Sequence, residues 1–134
     1  YAKTLGVGFA LIDKRRPKPN QAKVANLIGD LKNKKVLIID DMIDTAGTTV
    51  NAADAAQENG ANSVTAVATH ALLSGSAIDK IKSSAISQLI VTDTVKIPEE
   101  KLFNKMKIVT VSNIFAEAIN RIHEGESVSS LFEF

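Results

Sequence analysis

The residues best suited to chemistry lie between positions 36 and 49. Four apolar residues at 36–39 run directly into two adjacent carboxylates, Asp40 and Asp41. The residues that follow combine a third acid, hydroxyl groups and a glycine: Asp44, Thr45, Ala46, Gly47, Thr48 and Thr49. Apolar spacing typical of a helix then begins at Val50. This order predicts a buried strand, a polar loop and a helix N-terminus, and in α/β sheets ligands bind where such loops follow strands.

Two kinds of binding group stand side by side in this segment. Backbone N–H groups and hydroxyls at a helix N-terminus form an anion site. Asp40 and Asp41 offer acceptors for sugar hydroxyls or for a hydrated Mg²⁺. The alternative is that Asp40 and Asp44 only cap the turn and the helix. We favour ligand binding because ionised carboxylates at the end of a buried strand need donors or a metal.

A second segment, residues 13–20, is strongly basic. It holds four cations and two prolines in eight positions, which predicts an exposed, positively charged loop rather than a buried strand or a helix interior. One interpretation is a solvated connector. Another is a mobile flap whose cations meet polyphosphate, since Arg forks match phosphate oxygens and Lys supplies a compact charge. A nucleic-acid patch is the weakest interpretation, because no aromatic residue interleaves the cations for base stacking.

Composition excludes several functional classes. A net charge of +1 over 134 residues argues against a globally basic nucleic-acid binder, and the lack of cysteine excludes disulfides and thiolate metal sites. No apolar run approaches the ~20 residues of a membrane span, and no signal peptide is seen, so we expect a cytoplasmic protein without a membrane partner. No Walker motif or Gly-x-Gly-x-x-Gly motif is found. The two histidines, His70 and His123, are far apart, and a structural role is favoured for His70.

Alternating apolar patterns predict the elements that must position these groups. Strands are predicted at 7–12, 36–39, 64–68, 88–91 and 107–111, with a modest apolar stretch at 24–28. Helices are predicted at 49–59, after Ser76 in a capping box with Asp79, and from a cap at Ser112 or Asn113 to a stop at Gly125. Strands alternating with helices indicate an α/β fold with a mostly parallel sheet flanked by helices on both faces. The chain opens on what looks like the end of a helix, so we expect a piece of a larger protein.

Several segments resemble one known family. Residues 36–48 (VLIIDDMIDTAGT) resemble the phosphoribosyl-pyrophosphate loop of the type I phosphoribosyltransferase fold. Residues 12–20 (IDKRRPKPN) are similar to the flexible catalytic loop of the ribose-phosphate pyrophosphokinase family, also called phosphoribosyl-pyrophosphate synthetases. Residues 69–75, 116–119 and 126–129 also resemble the C-terminal half of those enzymes. The resemblance covers essentially the whole chain and implies a phosphoribosyltransferase-like fold.

The resemblance implies transfer of the β,γ-diphosphoryl group of ATP to the 1-hydroxyl of ribose 5-phosphate, with Mg²⁺. It assigns catalysis to Lys14 and Arg16, with Arg15 and Lys18 as supporting cations. Asp40 and Asp41 would hold the ribose hydroxyls, directly or through the metal's water shell. The other assigned positions are a phosphate cradle and a regulatory site between subunits: Asp44, Thr45, Ala46, Gly47, Thr48 and Thr49 for the cradle, and Ser127, Val128, Ser129 and Phe132 for regulation.

Family enzymes are longer and are built of two similar domains. Residues 1–134 are therefore expected to be a single C-terminal domain that lacks its N-terminal partner domain, joins a homo-oligomer and does not catalyse alone. One rival is an ordinary phosphoribosyltransferase, but a base-recognising hood is missing and a cationic flap at 14–18 stands instead. Another rival is a non-catalytic regulatory homologue, which would have no need to keep Lys14, Arg16 and Asp41.

Overall fold

The computed structural model describes the backbone of residues 1–18 and 21–132, and the side chains of residues 1–12 and 27–132. A short first helix is followed by three consecutive strands, and from β3 onward strands and helical segments alternate. The elements are α1 (Ala2–Leu5), β1 (Leu11–Lys18), β2 (Gln21–Ile28), β3 (Lys35–Ile43), α2 (Gly47–Glu58), β4 (Ser63–Ala71), α3 (Ala77–Ser83), β5 (Ile86–Thr92), β6 (Met106–Val109) and α4 (Ser112–Glu124), with 3₁₀ turns at Glu99–Lys101 and Ser129–Phe132.

The main sheet is parallel throughout. Its strand order is β3-β4-β5-β6, so each strand pairs with the next one along the chain. Helices α2 and α3 make the first two connections, as parallel neighbours require a crossover segment. The predicted α/β class with a mostly parallel sheet is confirmed.

The core lies between one face of this sheet and the helices α2 and α3. A single row crosses all four strands on that face, where Ile38 pairs with Ala66, Ala66 with Leu89, and Leu89 with Met106. Ala66 and Leu89 are fully buried. The alanines of α2 are buried as well, and their small side chains let the helix approach the sheet closely. The sequence pattern predicted this close packing correctly.

The opposite face of β3 is open, so the expectation of helices on both faces is wrong for the described residues. Leu37 and Ile39 are 47% and 41% exposed, because alternation along the strand sends only their neighbours into the core. The strand predicted to be buried is thus half-buried at the edge of the sheet. Helix α4 has the predicted apolar stripe, but its Ile119 and Ile122 remain exposed and it makes at most marginal contact with other elements of the described chain.

The basic segment forms part of a two-stranded antiparallel hairpin, and the predicted strand at 7–12 followed by a loop is wrong. Strand β1 begins at Leu11 and continues to Lys18, with Lys14 opposite Val24 on β2. A two-stranded ribbon can carry charged residues because pairing needs no burial, and its register shifts accommodate Pro17. Residues 19 and 20 of the predicted loop lie outside the described chain.

The base of the hairpin sits against the core. Strand β2 packs on α2, and Leu27 joins the hydrophobic cluster. Gly29 closes the hairpin base at φ +126°, where an added Cβ would lie 2.9 Å from the Cβ of Ala10. A side chain is therefore excluded there, both by the backbone conformation and by this close approach.

Helix ends follow the predicted stops better than the predicted caps. Gly125 ends α4 in the left-handed conformation, as expected. Ser76 precedes α3, but its side chain makes no capping bond, and Ser112 is the first residue of α4 rather than its cap. The start of α4 is held from outside the helix, since Asp93 Oδ1 accepts the Val111 N–H at 2.9 Å. Long-range contacts replace the local caps.

In the part of the chain that the structure describes, none of the helices has the length and apolar character needed to cross a membrane.

Candidate functional site

The first part of the site is the last third of β3. Strand β3 extends through Asp40 and Asp41 to Ile43, so the two acids lie in the strand and not in the loop where they were predicted. Asp40 is half-buried and its Oδ1 accepts the Asp41 N–H at 3.0 Å, whereas Asp41 is exposed. Consecutive strand residues point to opposite faces of a sheet. The two carboxylates are therefore adjacent along the chain but do not converge on one point.

A tight turn of three residues, 44–46, joins β3 to α2. Ala46 has φ 60° and ψ 0° and is only 3% exposed. The left-handed conformation costs a non-glycine residue roughly 1–2 kcal/mol, and such strain often marks functional turns. The predicted start of the helix at 49 is two residues late, because α2 begins at Gly47.

The N-terminus of α2 has free backbone donors. Ala46 is the N-cap and makes no side-chain capping bond, and the first turn contains no acidic residue. The Val50 N–H is the first in the helix to be bonded, to the Ala46 carbonyl at 2.9 Å. The N–H groups of Gly47, Thr48 and Thr49 therefore have no intrahelical acceptor, and the helix dipole adds partial positive charge at this end. An anion is the ligand that such a terminus accepts best.

These donors border an open depression of about 150 Å³. It is lined by eight consecutive residues, 42–49. All six predicted phosphate-cradle residues at 44–49 are brought together here, whereas Asp40 and Asp41 lie outside the lining. Thr45 is exposed and Thr48 is half-buried, but Thr49 is only 3% exposed. Thr45 and Thr48 thus have the more accessible hydroxyl groups.

The carbonyl groups of the turn face the segment between β4 and α3. The Ile43 oxygen accepts N–H bonds from Leu72 at 3.0 Å and Leu73 at 3.2 Å, and the Asp44 oxygen accepts one from Ser74 at 3.0 Å. Lys80 of α3 also donates to this turn. No local pattern in the sequence predicts these contacts, because their partners lie some thirty positions apart.

Polar side chains at the ends of β4 and β5 bond to each other. Nδ1 of His70 lies 3.0 Å from Oγ1 of Thr94, and the hydroxyls of Thr92 and Thr94 donate to the Thr69 carbonyl. This agrees with the structural role favoured for His70. Asp93 makes a structural contact too, because its Oδ1 accepts the Val111 N–H at 2.9 Å, and contacts with the Thr110 side chain and this N–H lower the pKa of its carboxyl group.

The backbone of the basic hairpin gives the position of its cations in the strands. Lys14 and Arg15 lie in β1, opposite Val24 and Lys23 of β2. The catalytic role assigned to Lys14 and Arg16, and the supporting roles of Arg15 and Lys18, stay predictions.

The predicted regulatory residues lie on the tail that follows α4. Arg121 ties this tail to the helix, since its Nη1 donates to the Ser127 carbonyl at 3.1 Å and to Ser130 Oγ at 2.8 Å. Ser129 starts the 3₁₀ turn that ends at Phe132, whose side chain is 71% exposed. A regulatory role for Ser127, Val128, Ser129 and Phe132 stays a prediction.

Comparison with known proteins identifies relatives over nearly the whole chain. The family model of the phosphoribosyl synthetase-associated domain matches residues 10–133. The ribose-phosphate pyrophosphokinase of Caldanaerobacter subterraneus is 54% identical over 132 residues, which are 98% of this chain and 42% of that protein. The enzyme of the same name from Bacillus subtilis is 50% identical over 131 residues, 98% of this chain and 41% of that protein.

A solved structure agrees with these sequence relatives. The crystal structure of phosphoribosylpyrophosphate synthetase from Mycobacterium smegmatis superposes with a TM-score of 0.81 at 33% identity, over 92% of this chain and 40% of that one. The chain thus spans about two fifths of the length of the relatives it matches. It belongs to the phosphoribosyl synthetase-associated domain family, as the resemblance in its sequence predicted.

Proposed function

We propose that this chain is the C-terminal domain of a ribose-phosphate pyrophosphokinase and that its 44–49 turn binds the 5-phosphate of ribose 5-phosphate. The observation that carries the proposal is the uncapped N-terminus of α2, whose first three N–H groups border an open depression. In the reaction of the whole protein, the 1-hydroxyl oxygen of the sugar bonds to the β-phosphorus of ATP, AMP leaves and the hydroxyl proton is released. The missing part of the protein would supply the remaining ATP pocket.

Asp40 and Asp41 orient the ribose in this proposal. Their carboxylates lie between the apolar part of β3 and the 44–49 turn, which we call the phosphate turn. A sugar phosphate lying along the end of the strand would place its ring near the acids and its phosphate at the turn. Asp41 is the more accessible acceptor, while one oxygen of Asp40 already accepts a backbone N–H. Sugar hydroxyls donate to carboxylate oxygens, so these acids bind the ring and the turn binds the phosphate.

Magnesium fits these carboxylates as a hydrated ion. Among the described residues no three acids or histidines are grouped closely enough to hold a metal. Mg²⁺ commonly uses one or two carboxylates, keeps several waters and shares phosphate oxygens with its substrate. Asp41, whose carboxylate is exposed, is the residue of this chain that would hold it, and Asp40 would act only through the ion's water molecules. When bound, the ion would neutralise charge on the phosphates.

The β1–β2 hairpin supplies the cations of the proposed site. Lys14 and Arg16 would neutralise charge on the transferring diphosphoryl group, with Arg15 and Lys18 in support. The packing of β2 on α2 supports this, because it attaches the hairpin to the helix whose N-terminus forms the phosphate turn. Lys14→Ala in the whole protein should lower turnover by about a hundredfold or more while ribose 5-phosphate still binds. Unchanged turnover would remove Lys14 from the mechanism.

Titration of the chain with ribose 5-phosphate tests the binding half of the proposal. Backbone amide shifts should be largest at Gly47 and Thr48, and unphosphorylated ribose, the matched control, should leave those two amides unmoved. No shift at Gly47 or Thr48 at millimolar sugar phosphate would contradict the assignment of the turn.

The product released by the whole protein separates the proposed activity from the phosphoribosyltransferase alternative. AMP formed from ATP in the presence of ribose 5-phosphate identifies a pyrophosphokinase. Consumption of phosphoribosyl pyrophosphate with a nucleobase identifies a transferase, and neither reaction favours a non-catalytic regulatory homologue. We further propose that the tail residues 127–132 form a regulatory contact between subunits of a homo-oligomer, which the exposed Phe132 supports.

A further inference from the structure

Lys80 donates a hydrogen bond to the peptide group between Thr45 and Ala46, whose orientation affects the backbone conformation of the phosphate turn. Its Nζ donates to the Thr45 carbonyl oxygen at 3.1 Å, across 35 positions of sequence. Rotation of the peptide between Thr45 and Ala46 changes the φ angle of Ala46, which is the strained left-handed angle of this turn. A donor fixed on the Thr45 oxygen therefore holds Ala46 in a conformation that an alanine adopts only at a cost.

This bond completes a set of three. The Ile43 and Asp44 oxygens are already taken by backbone donors from residues 72–74, so Lys80 satisfies the third consecutive carbonyl of the turn. With these carbonyls bonded to the β4–α3 segment and to α3, the residues at the start of α2 line the depression with N–H groups that have no acceptor within the helix. Leu72, Leu73 and Ser74 donate from their backbone, whereas Lys80 donates from its side chain. A substitution can therefore remove the Lys80 bond.

The β4–α3 segment, which precedes the helix that carries Lys80, is itself held in a strained shape. Leu73 has φ 52°, is 1% exposed, and its carbonyl accepts the Lys101 Nζ at 2.9 Å. Ala46 and Leu73 are thus both non-glycine residues with positive φ. They lie on the two segments that the hydrogen bonds of the turn join. Strain of this kind persists only where surrounding contacts impose it, and in each case a lysine supplies one of them.

The charge of Lys80 is available to a ligand. Within the described residues no carboxylate forms an ion pair with it, and its side chain is exposed at the rim of the turn. An unneutralised ammonium group next to a helix N-terminus increases the positive potential that an anion meets there.

We infer that Lys80 is a positioning residue for phosphate binding: it holds the Thr45–Ala46 peptide so that the α2 amides face the ligand. This inference rests on the proposed function of the 44–49 turn. It assigns no contact between Lys80 and the reacting atoms, so the expected effect is on affinity for the sugar phosphate and not on the chemical step.

Lys80→Gln and Lys80→Arg, compared with Lys82→Gln, test the inference in the 134-residue chain. Lys82 is the matched control because it lies on the same helix and loses the same charge, but its ammonium group sits 5.6 Å from the Phe103 ring centroid. Dissociation constants for ribose 5-phosphate and for inorganic phosphate are measured from the Gly47 and Thr48 amide shifts. Lys80→Gln should weaken both about fivefold or more, Lys80→Arg should stay within about twofold, and Lys82→Gln should match the wild type.

The outcomes separate this inference from the function on which it rests. Wild-type binding with unchanged affinity in Lys80→Gln overturns the positioning role alone, and equal losses in Lys80→Gln and Lys82→Gln reduce it to a general charge effect and also overturn it. Failure of the wild type to bind overturns the phosphate role of the turn and this inference together. A shift of the Ala46 and Gly47 amides in ligand-free Lys80→Gln, absent in Lys80→Arg, supports positioning directly.

Discussion

The fold does not require glycine at position 47. Replacement of Gly47 therefore tests whether the phosphate turn binds phosphate. Its φ is not positive and an added Cβ would meet no atom within 4 Å. Gly47→Ala should therefore stabilise the ligand-free chain by about 0.4–1 kcal/mol, because alanine loses less backbone entropy on folding. For a domain of this size that is a rise of about 2–4 °C in the thermal midpoint. The new methyl group would stand at the depression, where the backbone must approach the phosphate closely.

Affinity should move in the opposite direction to stability. Loss of one strong amide–phosphate hydrogen bond, worth about 1.5–3 kcal/mol, weakens ribose 5-phosphate binding by at least about tenfold. The assay combines a thermal melt with a ligand titration on the same sample. A Gly47→Ala chain that is more stable and binds as tightly as the wild type would refute the reasoning that the phosphate approaches this amide.

Gly60, at the other end of α2, is the matched control. Its φ is +87°, and an added Cβ would make only ordinary contacts with Lys32 at 3.5 Å and beyond. Gly60→Ala should destabilise the chain by roughly 1–2 kcal/mol through backbone strain, yet leave ribose 5-phosphate affinity unchanged. The two glycine substitutions should therefore change stability in opposite directions, and only Gly47→Ala should weaken binding.

Two further predictions concern the framework. Asp54 Oδ1 accepts the half-buried Ala85 N–H at 2.9 Å, so Asp54→Ala should cost about 1–3 kcal/mol of unfolding free energy in urea titrations without changing ligand affinity. The lowered pKa of Asp93, due first to the Thr110 side chain, means that its stabilising contribution is present above the unfolded pKa of about 3.9 and is lost as pH falls through the folded pKa. Asp93→Asn should therefore lose less stability between neutral pH and about pH 3 than the wild type, and an equal loss would contradict this role.

In the proposed site, the backbone carbonyl and amide groups of one turn have different roles. The carbonyl groups of Ile43 and Asp44 are bonded to the β4–α3 segment and that of Thr45 to Lys80 of α3, whereas the amide groups of residues 47–49 have no acceptor within their own helix. A side-chain cap at position 46 would compete with a ligand for those amides, and alanine cannot provide one. The turn is thus held rigidly by one set of its polar groups while the other set stays available.

Two exposed apolar surfaces are consistent with the observation that this chain spans about two fifths of the length of its relatives. The open face of β3, with Leu37 and Ile39, and the stripe of α4, with Ile119 and Ile122, are larger than scattered surface residues. Relatives that are more than twice as long have further residues that can cover such faces.

Local patterns in the sequence determined much of this fold. The alternation at 64–68 and 88–91 predicted β4 and β5, and glycine stops at 60 and 125 marked the ends of α2 and α4. The glycine and threonines after a strand also predicted a polar turn followed by a helix N-terminus, while the phosphate-binding role of that turn stays a prediction. Such features are readable because period, turn chemistry and helix stops are properties of a few neighbouring residues.

Tertiary structure alone decided the rest, because the deciding partners are distant in sequence. Pairing with β2 makes a strand of the basic segment that looked like a loop, since backbone bonds to Val24 and its neighbours outweigh local propensity. Asp93, 18 positions before Val111, accepts the N–H at the start of α4, where Ser112 or Asn113 was expected to cap the helix. Lys80 is an ordinary helix lysine in sequence, and only the packing of α3 beside the turn brings its ammonium group to the Thr45 carbonyl.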